Sequence, residues 1–169
     1  KMKFSSVSQR DTAAINAFVR KGTKYLSSKE NKLDIVKESI DSAVLICEKK
    51  KIDVPASLHL LLAQYHYVTG DLRSASEEAS LALKKSAGSG ESDVLARTNI
   101  FLGRYYLRTG FYAESLEYFD NAIAISKKGK LKGLIPMVYF GKYDVYRTIG
   151  DLKAERQSLQ LVIEAANEE

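Results

Sequence analysis

The sequence has no tryptophan, one cysteine, two histidines and two prolines among 169 residues. Each scarcity closes off an explanation. With Cys47 alone, no internal disulfide can form. It lies in the apolar stretch 43–47 and reads as a small buried hydrophobe, since no base can be placed beside it to make a reactive thiol. His59 and His66 stand seven residues apart. On one helix that is about 10 Å at ~1.5 Å rise per residue, too far to share a metal ion whose ligand bonds are about 2 Å. Both histidines therefore read as packing or surface residues. There is no zinc signature and no glycine-rich phosphate loop, so neither cofactor nor metal is expected.

The two prolines, Pro55 and Pro136, are too few to interrupt helices often, and each falls where a helix can begin. No apolar run approaches the roughly 18 residues of a membrane span. Residues 1–7 lack the apolar core of a secretory signal. A cytoplasmic protein is expected if Met2 is the native start. The opening on Lys1 leaves a longer parent chain as the alternative, and with it the compartment.

What the sequence does have is a period. Gly70, Gly110 and Gly150 are spaced by forty residues, in the contexts Thr69-Gly70-Asp71-Leu72, Thr109-Gly110-Phe111-Tyr112 and Ile149-Gly150-Asp151-Leu152. Each stands where one helical pattern stops and another starts, a place that calls for the left-handed conformation glycine adopts without strain. Asn31 takes the matching place one repeat earlier. Counting from these turns, Leu33, Leu72, Tyr112 and Leu152 share one offset. Ile40, Ala79, Phe119 and Leu159 share a second, and Ala43, Ala82, Ala122 and Val162 a third. Together they make the apolar stripe of a second helix. At the intervening offset stand Val36, Ala75, Ser115 and Glu155, so the last repeat breaks the pattern. Eight helices follow, over 11–28, 33–49, 55–69, 72–86, 92–109, 112–127, 134–149 and 152–167. Loops are expected at 86–90 and 127–133, and Ser92 or Asp93 is the expected cap of the fifth helix.

These residues resemble the tetratricopeptide repeat family. The third repeat carries the match best, through Leu102-Gly103, Tyr106, Gly110, Tyr112, Ser115-Leu116, Tyr118-Phe119 and Ala122. The family period is about 34 residues. Here it is forty, the closing proline is missing, and Lys142-Tyr143 replaces the Leu-Gly pair in the fourth repeat. Repeats of this length are similar to those of kinesin light chains and of bacterial peptide-sensing regulators. The resemblance implies an all-α, right-handed α-solenoid of four helix-turn-helix pairs. They form one domain over 1–169, with repeats at about 11–49, 55–86, 92–127 and 134–167. It also implies a concave face lined by the first helices.

By offset, the outward positions of those first helices include Gln64, Tyr67, Arg97, Ile100, Arg104, Leu107, Arg108, Met137, Phe140, Asp144 and Arg147. Arginines beside apolar anchors suit a protein or peptide segment that carries carboxylates. Asp144 is expected to pair with Arg104 or Arg108. The asparagines of the carboxylate clamp used by chaperone-binding relatives are absent at matching places, so that role is not carried over.

Catalysis has little support. Glu77-Glu78 and Glu114/Glu117 have the spacing of a solvated helix face, and the ten tyrosines fall mostly at packing positions. The net charge of +5 gathers in Lys49-Lys50-Lys51, Lys84-Lys85 and Lys127-Lys128, at the ends of second helices. Lysines there complement the helix dipole, and stacked they would form a basic ridge able to touch phosphates. Nucleic acid is the less favoured partner; self-association stays open. The chain thus reads as a protein-binding scaffold and not an enzyme. The alternative is a ligand- or peptide-sensing module of a larger bacterial signalling or transcription regulator.

Overall fold

A computed structural model of the protein describes residues 8–28 and 32–167. Among them are eight α-helices, α1 (Gln9–Leu26), α2 (Leu33–Lys50), α3 (Ala56–Thr69), α4 (Leu72–Ser89), α5 (Ser92–Thr109), α6 (Tyr112–Lys128), α7 (Ile135–Ile149) and α8 (Leu152–Asn167). One turn of 3-10 helix, Lys132–Leu134, leads into α7, and no strand occurs among the described residues. No described helix is long and apolar enough to cross a membrane.

The turn glycines behave as their spacing predicts. Gly70, Gly110 and Gly150 have φ of 91°, 85° and 80° and end α3, α5 and α7. After Gly110 the Phe111 amide donates to the Tyr106 carbonyl at 2.9 Å, and after Gly150 the Asp151 amide donates to that of Tyr146 at 3.0 Å. This closure satisfies carbonyls that the helix end would otherwise leave open. Asn31 lies outside the described residues.

A second series of left-handed residues recurs at the ends of second helices. Lys51, Gly90 and Lys130 have φ of 54°, 73° and 55°. The next amides, of Ile52 and Leu131, donate back to the carbonyls of Cys47 and Ser126, each at 2.8 Å. This moves two expected boundaries. Residues 86–89 are helical, because the stop is Gly90 rather than the Gly88 within the run. Lys84 and Lys85 therefore lie inside α4 and not at its end. Part of the expected 127–133 loop is likewise helical at both edges.

Asp71 and Asp151, next to their glycines, accept from the amides of Ser74 at 3.1 Å and Ala154 at 3.0 Å, capping α4 and α8. Helix α5 has no such cap. Ser92 is its first residue, and Asp93 instead binds Arg97 one turn on.

The chain divides into two compact units, residues 1–78 and 79–169, with the boundary inside α4. In the first, α1, α2 and α3 pack on one another. Its core holds Ile15, Val19, Ala43, Cys47 and Leu58, beside a second cluster of Val36, Ile40 and Leu61. In the second unit α5 packs on α6, α7 on α8, and α7 also on both α5 and α6. Ala96, Ile100, Phe119, Ala122, Leu134, Val138 and Val145 form its core. Leu102, Phe119 and Ala122 are buried as the repeat phase requires. The expected stripe continues into α8 but is largely uncovered there, with Leu152 and Leu159 exposed and Val162 half-buried.

Candidate functional site: the outward face of α5 and α7

Along α5, Arg97, Arg104 and Arg108 recur at intervals of seven and four residues and fall on one face at about 100° per residue. All three are exposed. On α7 the matching offsets hold Met137, Asp144 and Thr148, of which Met137 is 38% exposed. Because α5 and α7 pack side by side, these two stripes are neighbours. Arg97 is engaged with Asp93, its Nε 2.9 Å and 3.1 Å from the two carboxylate oxygens. Asp144 forms no ion pair among the described residues, so the expected bridge to Arg104 or Arg108 is not made. Its backbone carbonyl accepts from the Thr148 hydroxyl at 2.7 Å.

Ile100 does not belong to this face. It is 4% exposed and sits in the core with Phe119, Leu134 and Val138. Its offset is the one at which a first helix meets the next first helix, and α7 covers it. Leu107 leans the same way, partly buried against that core. Phe140 occupies the offset of Ile100 one repeat later, yet is 49% exposed. Phe140 and Arg147 thus form the edge of the α7 face away from α5, where Phe140 stacks on Tyr143 at 5.7 Å. Gln64 and Tyr67 are half-buried on α3, in the first unit.

Two pairs of ionisable residues differ from their sequence reading. Glu78 is not simply a solvated carboxylate. Its Oε2 lies 2.6 Å from Nδ1 of buried His59. His66, half-buried, stands 3.7 Å from Asp71. Glu114 and Glu117 are exposed, but they border a cleft of about 520 Å³ in the second unit. Its floor includes Asn99 and the stacked rings of Tyr106 and Tyr118, with centroids 5.3 Å apart and planes within 6°. Burial raises the Tyr118 hydroxyl above its usual pKa, and the neighbouring Tyr106 and Glu117 add to the rise. The exposed spacing of Glu114 and Glu117 hid this cleft. The visible signal was the repeat itself, since Asn99 and Tyr118 stand at the offsets of His59 and Glu78.

Among the described residues no group of three His, Cys, Asp or Glu side chains could hold a metal ion. No protein-family model matches the chain, and no curated protein is similar to it at a significant level.

Proposed function

We propose that the chain is a protein- or peptide-binding module, a right-handed tetratricopeptide-like solenoid that takes an acidic segment on the outward face of its first helices. The observation that supports this most is the pairing of stripes on α5 and α7. Exposed Arg104 and Arg108 run beside exposed Met137, with Phe140 and Arg147 at the margin. Exposed methionine and phenylalanine lose water-facing apolar area on binding, worth ~25 cal/mol per Å². Guanidinium groups receive carboxylates through paired hydrogen bonds. The repeated left-handed turns and the apolar stripe on second helices support the family reading. On this proposal the residues bind and do not catalyse.

The test is a titration of fluorescent acidic amphipathic peptides against the full chain, with backbone amide shifts to map the contact. Shifts concentrated on α5 and α7, with weaker binding by the Arg104→Ala and Arg108→Ala variants, are the expected result. Shifts elsewhere, or peptide binding indifferent to both variants, would overturn it.

A further inference from the structure

The cleft between Asn99 and the second helices lies on the other side of α5 from the arginine face. Asn99 is two residues beyond Arg97, about 200° around the helix, and Tyr106 follows it by seven. No lysine, arginine or histidine lines the cleft. Glu114 and Glu117 form no ion pair among the described residues. This is a local acidic site on a chain of net charge +5.

The second observation is Asn99 itself. It is 3% exposed. Its Nδ2 donates to the Leu95 carbonyl at 2.8 Å. That bond fixes the amide orientation, because the reverse would set two oxygens against each other. The Oδ1 accepts no hydrogen bond from the protein, and Asn99 lines the cleft. The oxygen is not sealed from solvent, since Ser126 Oγ is the one buried side-chain polar atom without a partner among the described residues, so it is open to N–H donors that enter the cleft.

Comparison with the preceding repeat shows how the place is opened. Eleven residues before Gly70 stands His59, and eight after it Glu78; they meet at 2.6 Å and satisfy each other. The same offsets from Gly110 hold Asn99 and Tyr118. The tyrosine ring turns to stack on Tyr106 instead, and the amide oxygen is left facing the cleft.

The geometry points to a second binding site in which Asn99, Tyr106, Tyr118, Glu114 and Glu117 receive a guanidinium group. A guanidinium presents five N–H donors in one plane. Its donors can meet the Asn99 oxygen and a glutamate at once, while its flat face lies on the tyrosine rings. An ammonium group is a compact point charge and lacks that plane. The volume is within the range of small-ligand pockets, roughly 300–1,000 Å³. The source is either an arginine side chain of a partner or a free guanidine compound. This site stands apart from the acidic-segment face of α5 and α7, and either reading can fail alone.

The experiment follows the ring signals of Tyr106 and Tyr118 and the Asn99 side-chain amide by NMR in the full chain. The probes are N-acetyl-arginine N-methylamide, its uncharged citrulline counterpart, agmatine and the acetylated, amidated tripeptide Ala-Arg-Ala. Saturable shifts with the arginine probe and none with citrulline are expected. Glu114→Gln with Glu117→Gln, both on exposed positions, is expected to weaken binding at least about tenfold. Asn99→His with Tyr118→Glu rebuilds the preceding repeat's pair and is expected to abolish the shifts while helical circular dichroism is retained. Tighter binding of the tripeptide than of agmatine would assign the source to a protein partner; the reverse would assign a free guanidine. Equal shifts with citrulline, undiminished binding by the double glutamine variant, or no saturable shift would each overturn the site.

Discussion

The ring of Phe119 fills the space where Gly141 has no side chain. A Cβ at Gly141 would overlap the tip of that ring, and one at Gly103 would stand 2.7–2.9 Å from three of its carbons. Two first helices, α5 and α7, thus close on one fully buried side chain of α6. Phe119→Ala is expected to lower stability by roughly 3–5 kcal/mol, and Gly141→Ala by about 1–3 kcal/mol through overpacking. The two sites touch, so Phe119→Leu combined with Gly141→Ala should cost less than the sum of the single changes. Urea midpoints of the parent chain, Phe119→Leu, Gly141→Ala and the double variant check this. Strict additivity would mean that the glycine does not make room for the ring.

The left-handed residues allow a test free of packing. Nothing lies within 4 Å of a Cβ placed at Gly110, whose φ is 85°. Gly110→Ala is therefore expected to cost about 1–2 kcal/mol from backbone strain alone. Lys130 already bears that strain at φ 55°. Lys130→Gly should raise stability by up to about 1 kcal/mol, less the extra freedom glycine gains in the unfolded chain. Opposite signs for the two variants in a denaturant melt are the expected outcome.

Most of the helical frame was legible in the sequence because glycine at a helix end has a conformational cause. The ranges 92–109 and 152–167 are those of α5 and α8. The second stop signal was hidden because Lys51 and Lys130 do the work of Gly90, and nothing in a lysine announces a positive φ. The candidate face was read less well. Offset counting cannot tell a position facing solvent from one facing the next first helix, so Ile100 and Phe140 looked alike. Only the presence of α7 beside α5 buries the one, and no described helix covers the other. The pairing of His59 with Glu78 needed the distance between two helices, which spacing along the chain does not contain.

Helix capping separates the repeats in a measurable way. Asp71 caps α4, and its carboxyl is held below the usual range, first by its hydrogen bonds with Ser74 and then by nearby His66 and Arg73. A depressed folded pKa contributes stability above the unfolded value and loses it as pH falls through the folded one. Asp71→Ala should therefore flatten the acid limb of stability below about pH 4. At the same place before α6 stands exposed Phe111, with no side-chain cap. Phe111→Asp is expected to add about 1 kcal/mol, reduced by loss of its edge contact with Tyr106 at 6.2 Å. Thermal melts across pH decide both; a lower Tm for Phe111→Asp at neutral pH would show the ring contact to outweigh the cap.

Buried His59 makes the first unit sensitive to one carboxylate. Glu78→Ala leaves Nδ1 of His59 without the partner it has at 2.6 Å. A cost of about 1–3 kcal/mol is expected for the stranded group, larger than for Glu77→Ala. Glu77 pairs with Arg73 in the open, with both side chains more than half exposed, where such pairs contribute at most about 1 kcal/mol. Equal effects of the two substitutions would mean that water reaches His59.

The two cationic surfaces can be told apart by charge reversal. Lys127 and Lys128 are exposed in the last turn of α6, where they complement the helix dipole. Arg104 and Arg108 are exposed on α5, on the stripe that neighbours Met137 and Asp144. If an acidic segment binds the α5 and α7 face, Arg104→Glu should weaken it at least tenfold, a loss of about 1.4 kcal/mol. Reversing Lys127 and Lys128 should change affinity less than threefold. Asp144→Asn should strengthen binding, because it removes the one carboxylate among the central residues of that face. Salt alone cannot separate the surfaces, since both are cationic and screened alike. Sensitivity of the lysines with silence of the arginines, measured with single-stranded nucleic acid beside the peptide, would transfer the binding role to the ends of the second helices. Stronger binding by Asp144→Asn has no explanation from the lysines, and its absence would count against the arginine face even if Arg104→Glu behaves as expected.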